Sequence, residues 1–321
     1  MTWMVTGGAG YIGAHIARSF LQADVGVVVL DDLSLGRREF VPDGAAFVEA
    51  SILDEAAMAR AFRDHSVSGV VHLAGLKYAG VSVDRPLDFY EVNVEGTRRL
   101  VKAMVSGGVR NLVFSSSAAI FGTPDVDVVD EDTAKQPESP YGESKLIGEW
   151  LIHDVARIAD IRYCSLRYFN VVGSGDPTVY DVSPYNLFPA VFKAITEGRR
   201  PELNGVDYPT PDGTCVRDYI HVQDVADAHV VVAQALADGE SLALEYNIGT
   251  GSGTSVLQIL QAMQGVVPTL EWDVADRRPG DPARIVTSSK RLTNGLGWSA
   301  KYDLEDMVRS AWEAWQARPQ L

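Results

Sequence analysis

The chain has 321 residues, 46% of them hydrophobic and 22% charged, with a formal net charge of −15. That balance describes a folded globular protein and excludes general nucleic-acid binding, which needs a basic face; an anionic ligand is still allowed, because local arginines and helix termini decide the matter at a site. Two cysteines, Cys164 and Cys215, and a start, "MTWMVTGGAG", without basic leader or apolar signal core predict a cytoplasmic, disulfide-free protein, and no apolar run is long enough to span a bilayer.

In chain order, "TWMVT" reads as a strand, "GGAGYIG" as a turn entering a helix near Tyr11, and "VGVVVLD" as a second strand. Gly7, Gly10 and Gly13 recur three residues apart, and Gly8 completes a G-x-G-x-x-G frame. Glycines so spaced permit a tight turn, close backbone approach to a pyrophosphate and snug packing of helix on sheet. The first amides of the helix then face the phosphates. Asp31, 18 residues beyond Gly13, ends the second strand. A carboxylate there accepts from ribose hydroxyls and repels a 2′-phosphate, so NAD is expected rather than NADP.

Strand-like runs continue at "AAFVEA", "SGVVHLAG", "VRNLVFSSS" and "IRYCSLRYF", and helix-like segments lie at 54 to 65, 84 to 106 and 142 to 159. Asp54 and Asp84 are the expected N-caps. This alternation predicts an α/β fold with a doubly wound, Rossmann-type parallel sheet. Ligands of such sheets bind at the carboxyl ends of the strands. That places Ala74 and Gly75, Ser115 to Ser117, and Tyr168 to Asn170 around one crevice, with His72 and Cys164 as buried strand residues.

"SPYGESK" then sets Tyr141 and Lys145 one helical turn apart, on the same face. A neighbouring ammonium favours the phenolate and makes tyrosine a usable base. Ser117 closes the preceding strand, 24 residues earlier, where it converges with Tyr141 on one substrate oxygen. Lys145 also suits the nicotinamide ribose.

Beyond Asn170 the composition turns to Gly, Pro, Ser and Asp before the helix "LFPAVFKAITEG". Residues 1–170 are expected to form the NAD-binding domain, and 171–214 with 246–321 a smaller C-terminal α/β substrate lobe. The chain is expected to return to the main sheet at about 215–245. Arg217 and Arg278 are forks suited to diphosphate oxygens, and Asp281 suits ribose hydroxyls. Among His221, Asp224, Asp227 and His229, a metal site is not expected; Asp224 as an N-cap with Asp227 three residues on explains them better.

These segments resemble the extended short-chain dehydrogenase/reductase family, most closely its UDP-galactose (UDP-glucose) 4-epimerases. The resemblance runs through "VTGGAGYIG", "HLAGLKYAGVSV", "VNVEGT", "FSSSAAIFG", "SPYGESK", "LRYFNVVG", "DYPTPDGTCVRDYIHVQDVADAH", "YNIGTGSG" and "RRPGDPARIV". It implies an enzyme in which Ser117, Tyr141 and Lys145 are catalytic. Around NAD it implies Gly7, Gly10, Tyr11, Ile12, Gly13, Asp31, Ile52, Ala74, Lys77, Asn93, Ser115, Tyr141, Lys145 and Tyr168. Around the UDP-sugar it implies Ser117, Tyr141, Asn170, Asn186, Leu187, Arg217, Arg278 and Asp281. It further implies a homodimer packed through helices near 84 to 106 and 142 to 159.

Four departures stand out: Ser51 in place of an adenine-contacting aspartate, Phe121 for a frequent tyrosine, "NVVG" without its proline, and Cys215 for a glycine. The position that selects sugar size in the resembling enzymes falls near Ile285, and a side chain smaller than tyrosine there implies tolerance of UDP-N-acetylhexosamines. A 4,6-dehydratase is disfavoured, because Ala118 and Ala119 stand where that reaction needs an acid and a base. An epimerase of UDP-glucuronate or UDP-xylose is the remaining enzymatic alternative, and a non-catalytic NAD-binding sensor the alternative from another class.

Overall fold

The computed structural model describes residues 1–278 and 280–319. The chain opens with β1 (Thr2–Thr6), α1 (Tyr11–Gln22), β2 (Gly26–Asp31), β3 (Ala46–Glu49), α2 (Glu55–Asp64) and β4 (Val67–His72). Next come α3 (Ala79–Asp84), α4 (Pro86–Phe89), a π-helical stretch (Tyr90–Glu95), α5 (Gly96–Gly107), β5 (Asn111–Ser117), α6 (Pro140–Ala159) and β6 (Arg162–Tyr168). The remainder holds β7 (Asn170–Val172), α7 (Leu187–Thr196), β8 (Glu202–Asn204), β9 (Val216–Arg217), β10 (Tyr219–His221), α8 (Val222–Asp238) and β11 (Glu245–Ile248). It ends with β12 (Thr254–Ser255), α9 (Val256–Gln264), β13 (Asp273–Ala275), β14 (Arg284–Ile285), α10 (Lys290–Leu296) and α11 (Leu304–Ala317).

Seven strands form one parallel sheet in the order β11-β6-β5-β4-β1-β2-β3. Both faces are covered, which is why its strands read as near-continuous apolar runs. Alternate residues divide between two cores. Trp3, Val5, Val29, Val71, Val113 and Leu166 pack with Ile16 and Phe20 of α1 and Val225 and Val232 of α8. Met4, Val28, Leu30, Val70 and Leu112 pack with Met58 of α2, Leu100 of α5 and Ile152 of α6. A third core joins α7, α9 and α11 through Phe188, Phe192, Ile259, Leu260, Val308 and Trp315. Strand order reverses between β1 and β4, so a crevice opens where their carboxyl ends diverge.

Two local expectations change. Asp54 does cap α2, accepting from the Ala57 amide, but Asp84 ends α3 instead of capping a long helix. Pro86 occupies the first position of α4, and Arg85 before it, at φ −132° and ψ 50°, is pushed out of helical geometry. Asp224 is not the cap of α8 either. The Nδ1 of His221 takes that place, accepting from the Gln223 amide, because a neutral imidazole carries one acceptor nitrogen. Asp224 is buried at the third helical position and accepts from the amides of Lys301 and Tyr302. Burial raises its carboxyl to about 6. Asp227 pairs with Lys301.

The return of the chain also differs in detail. α8 packs against α1, but the strand that joins the main sheet is Glu245–Ile248, mostly inside the stretch assigned from sequence to the smaller lobe. β10 pairs with β7, and β9 lies between β12 and β14. Among the described residues no helix is long and apolar enough to cross a membrane.

Candidate active site

The glycine turn lies between β1 and α1, at the reversal of strand order. Gly7 adopts φ +71°, and a Cβ there would come within 2.8 Å of the Ala74 amide nitrogen across the crevice. A Cβ on Gly13 would sit 2.2 Å from the Gly7 carbonyl oxygen, so the helix can approach the turn only without one. Gly10 is different. An added Cβ would meet only the Gly7 carbonyl oxygen, at 3.2 Å, and its φ of −82° suits any residue. The protein's own packing therefore asks little of Gly10, while the α1 N-terminus behind it has no side-chain cap and presents free amides from Tyr11, Ile12 and Gly13. A cradle shaped this way fits the pyrophosphate of a dinucleotide. Gly10→Ala is accordingly expected to match the thermal midpoint of the cofactor-free parent and to abolish co-purification of NAD, measured by absorbance of the released cofactor.

Asp31 ends β2 with its carboxylate accepting from the amides of Ala9 and Leu33, and each oxygen keeps a further acceptor position. Burial raises its carboxyl above the usual range, and those two amides oppose the rise. Ile52 is buried against Gly96 at the start of α5. Lys77 is half-buried beside the Tyr78 ring. Asn93 is no helix-surface polar residue: its Oδ1 accepts from the Leu76 amide, and its Nδ2 donates to the Leu76 carbonyl and Ser144 Oγ. The π-helical stretch turns it inward, where it holds the loop after β4 against α6.

The three expected catalytic residues converge at the end of β5. Tyr141 stands in the first turn of α6, its amide bonded to Ser82 Oγ of α3. Burial pushes the Tyr141 phenol up, and the neighbouring Ser117 hydroxyl opposes that. Ser117 Oγ also accepts from the Ala119 amide. Lys145 is buried one turn further along α6. Its Nζ donates to the Ser115 carbonyl at 2.9 Å and lies 5.2 Å from the Phe114 ring centroid. Desolvation lowers Lys145 to about 8, with Glu149 one turn further on opposing the fall. Ser115 Oγ meets His229 Nε2 at 3.1 Å, and Tyr168, paired in register with Ser117, has its ring centroid 6.2 Å from that of His229.

Sequence reasoning missed the supports behind this group. His229 gives its Nδ1 proton to the Val225 carbonyl, so its Nε2 accepts from Ser115. His72, expected as a buried strand residue, is one, held between Thr6 and Thr97. Arg167 makes a bidentate pair with Glu149, both buried. The spacing of Lys145 and Glu149 by four residues and the arginine inside the apolar "CSLRYF" were the available signals.

Four buried histidines titrate abnormally: burial lowers His15, His221 and His229 to about 4 and His72 to about 3. Between those values and the ordinary 6.5, the unfolded chain binds more protons, so stability falls as pH drops through this window. Asp31, Asp218 and Asp224, raised by burial, act in the opposite sense and only partly offset it. The urea midpoint is expected to be lower at pH 5 than at pH 7, and His229→Gln to flatten the dependence.

The expected substrate residues form two groups. Arg217 donates to the carbonyls of Val216 and Pro282 and lies 3.5 Å from Asp281, whose amide donates to the Arg278 carbonyl. Arg278 is exposed and bonded to Asn204. Asn170 Nδ2 donates to the Asp218 carbonyl beside Arg217. Asn186 occupies the N-cap position of α7 without a side-chain cap, its Nδ2 donating to Asp181, and Leu187 follows it. Ile285 pairs in register with Arg217 and packs against Ile120, Phe121, Leu146 and Phe169, adjoining the end of β5. Among the described residues no group of three or more His, Cys, Asp or Glu is placed to hold a metal ion.

A doubly wound sheet with a glycine turn at its switch point and a Ser-Tyr-Lys group at the end of β5 defines a dinucleotide-dependent enzyme class. Residues 3–249 match the NAD dependent epimerase/dehydratase family, and the chain belongs to it. A UDP-glucose 4-epimerase from Azospirillum brasilense is 42% identical over 97% of this chain and 91% of that protein. The UDP-glucose-4-epimerase structure from Stenotrophomonas maltophila, with bound NAD and formylated UDP-arabinopyranose, is 38% identical and superposes with a TM-score of 0.94 over 99% of this chain and 98% of that one. The UDP-Glc/GlcNAc 4-epimerase of Campylobacter jejuni is 33% identical, with a TM-score of 0.86 over 98% and 99% of the two chains.

Proposed function

We propose that the protein is an NAD-dependent 4-epimerase interconverting UDP-galactose and UDP-glucose through a transient 4-keto sugar. The observation that carries the reading is the hydroxyl pair of Ser117 and Tyr141 at the end of β5, on the carboxyl edge that also holds the glycine turn. NAD supplies the two-electron oxidation of the sugar at C4 and its reversal. Gly7, Gly10, Tyr11, Ile12 and Gly13 hold its pyrophosphate, Asp31 its adenosine ribose, and Ile52, Ala74, Lys77, Ser115 and Tyr168 its remaining length. Asn93 serves by fixing the loop that carries Ala74 and Lys77.

Tyr141 takes the O4 proton and later returns it, while Ser117 orients that oxygen. To take that proton Tyr141 must be ionised; burial raises its phenol, and the cationic nicotinamide ring would, when bound, draw it toward the phenolate. Arg217 and Arg278 suit the diphosphate, Asp281 and Asn186 the nucleoside, with Leu187 and Asn170 lining the way to the sugar. Firm contacts on the diphosphate leave the hexose free to turn between the two transfers. Ala118 and Ala119 offer no acid or base to a dehydratase. The half-buried Ile285 is small enough to admit an N-acetyl group.

We also take the protein to work in the cytoplasm as a homodimer. Trp150 and Ile158 of α6, 58% and 87% exposed, and Leu87 and Val105 give the 84 to 106 and 142 to 159 region an apolar surface suited to a second copy. The test is incubation with UDP-galactose, UDP-GlcNAc, UDP-xylose and UDP-glucuronate separately, followed by anomeric proton NMR. Conversion of UDP-galactose and of UDP-GlcNAc is expected. Turnover of the uronate or the pentose alone would replace the reading.

A further inference from the structure

Two tyrosines outside the expected site meet across the two parts of the molecule. Tyr78 ends the loop that leaves β4, directly after Lys77, and precedes α3. Tyr185 ends the loop that leads into α7, directly before Asn186. Their ring centroids are 4.8 Å apart at an interplanar angle of 61°. Tyr78 holds φ 86° and ψ 95°, a conformation that residues with side chains rarely adopt. The Lys77 ammonium lies 5.1 Å from its ring centroid. Tyr185 is 61% exposed apart from this contact, although the base of its loop is tied down: Asp181 accepts from the Ser183 amide and from Asn186 Nδ2.

The contact also reaches the reacting group. α3 begins immediately after Tyr78, and its Ser82 Oγ accepts from the Tyr141 amide. A ring on the α7 loop is thus joined, through Tyr78 and one short helix, to the residue proposed as the base. We propose that Tyr78 and Tyr185 form an aromatic clasp between the two lobes that retains the 4-keto sugar nucleotide until its hydrogen is returned. This rests on the 4-epimerase reading.

The chemistry explains why retention matters. In the first half-reaction the C4 hydrogen leaves with two electrons for the bound nicotinamide, the O4 proton goes to Tyr141, and C4=O forms. If the ketone departs before the second half-reaction, electrons and hydrogen stay on the enzyme and the cofactor is left reduced. An open mouth therefore stops the enzyme with each escape. The two tyrosines are positioning residues, because neither is placed on the reacting atoms.

The test uses the full chain with its bound cofactor and the variants Tyr185→Ala, Tyr185→Phe and Tyr78→Gly. Glycine at 78 removes the ring and relieves the positive φ, so its fold is secure. One readout is the dissociation rate of UDP, by stopped-flow displacement. The other is absorbance of reduced nicotinamide accumulating during UDP-galactose turnover. Tyr185→Ala and Tyr78→Gly are expected to release UDP about tenfold faster, the factor for losing one aromatic pair, and to accumulate reduced cofactor as activity declines. Tyr185→Phe keeps the ring and should behave like the parent. Equal UDP release in the parent and the Ala variant overturns the clasp, as does a Phe variant as leaky as Ala. A parent that releases UDP slowly but epimerises nothing overturns the 4-epimerase reading instead, since UDP release needs no turnover.

Discussion

Tyr141→Phe is expected to slow conversion of UDP-galactose by about 10²- to 10⁴-fold, the usual contribution of a positioned acid-base group, while NAD stays bound. The ring would stay in place, since it packs edge-on to Phe89 and its backbone amide is held by Ser82. Only the oxygen proposed to exchange a proton with O4 is lost. Burial already raises this phenol, with only the neighbouring Ser117 hydroxyl opposing. Ser117→Ala should therefore slow the reaction as well, by removing both that support and the group proposed to orient the sugar oxygen. Initial rates followed by anomeric proton NMR, with the cofactor content of each variant measured separately, decide the matter. An unchanged rate in Tyr141→Phe would assign the proton transfer to another group.

The largest expected loss of stability comes from Arg167→Met, about 3–5 kcal/mol. Arg167 on β6 and Glu149 on α6 have side chains only 3% and 9% exposed, joined by two hydrogen bonds of 2.9 and 2.7 Å. Removing one partner leaves a buried carboxylate with nothing to balance it. Replacing both, as Arg167→Met with Glu149→Met, should recover most of the loss, because desolvation of two charges offsets much of their attraction. Urea denaturation at pH 7 measures both. A single variant within 1 kcal/mol of the parent would show that water already reaches the pair. The same single variant leaves the Glu149 charge unbalanced one turn from Lys145, so it should also raise Lys145 above its lowered value.

Much of the first half was legible because its signals are local. Glycine spacing, an acid at the end of β2, apolar runs and Asp54 before α2 each depend on a few neighbours in sequence, and each appears where expected. What escaped depends on tertiary placement. Spacing put Tyr141 and Lys145 on one helical face, but it could not tell that Ser115 offers a carbonyl to the ammonium. His221 as a cap requires knowledge of its tautomer, and Asp224 found its partners 77 and 78 residues away, at Lys301 and Tyr302. Asn93 faces inward from a π-helical stretch, which its sequence does not announce. Tyr78 and Tyr185, 107 positions apart, are brought together only by the fold.

β11 has a consequence for anyone who would divide the molecule. The outer strand beside β6 comes from Glu245–Ile248, and the Asn247 amide is anchored on the buried Glu131 of the first half. A fragment ending near residue 170 would bare a full row of unpaired peptide groups on β6, an invitation to stick to its own kind. Transplanting the C-terminal half between kindred proteins therefore needs at least two splice points, so that this one strand stays at home.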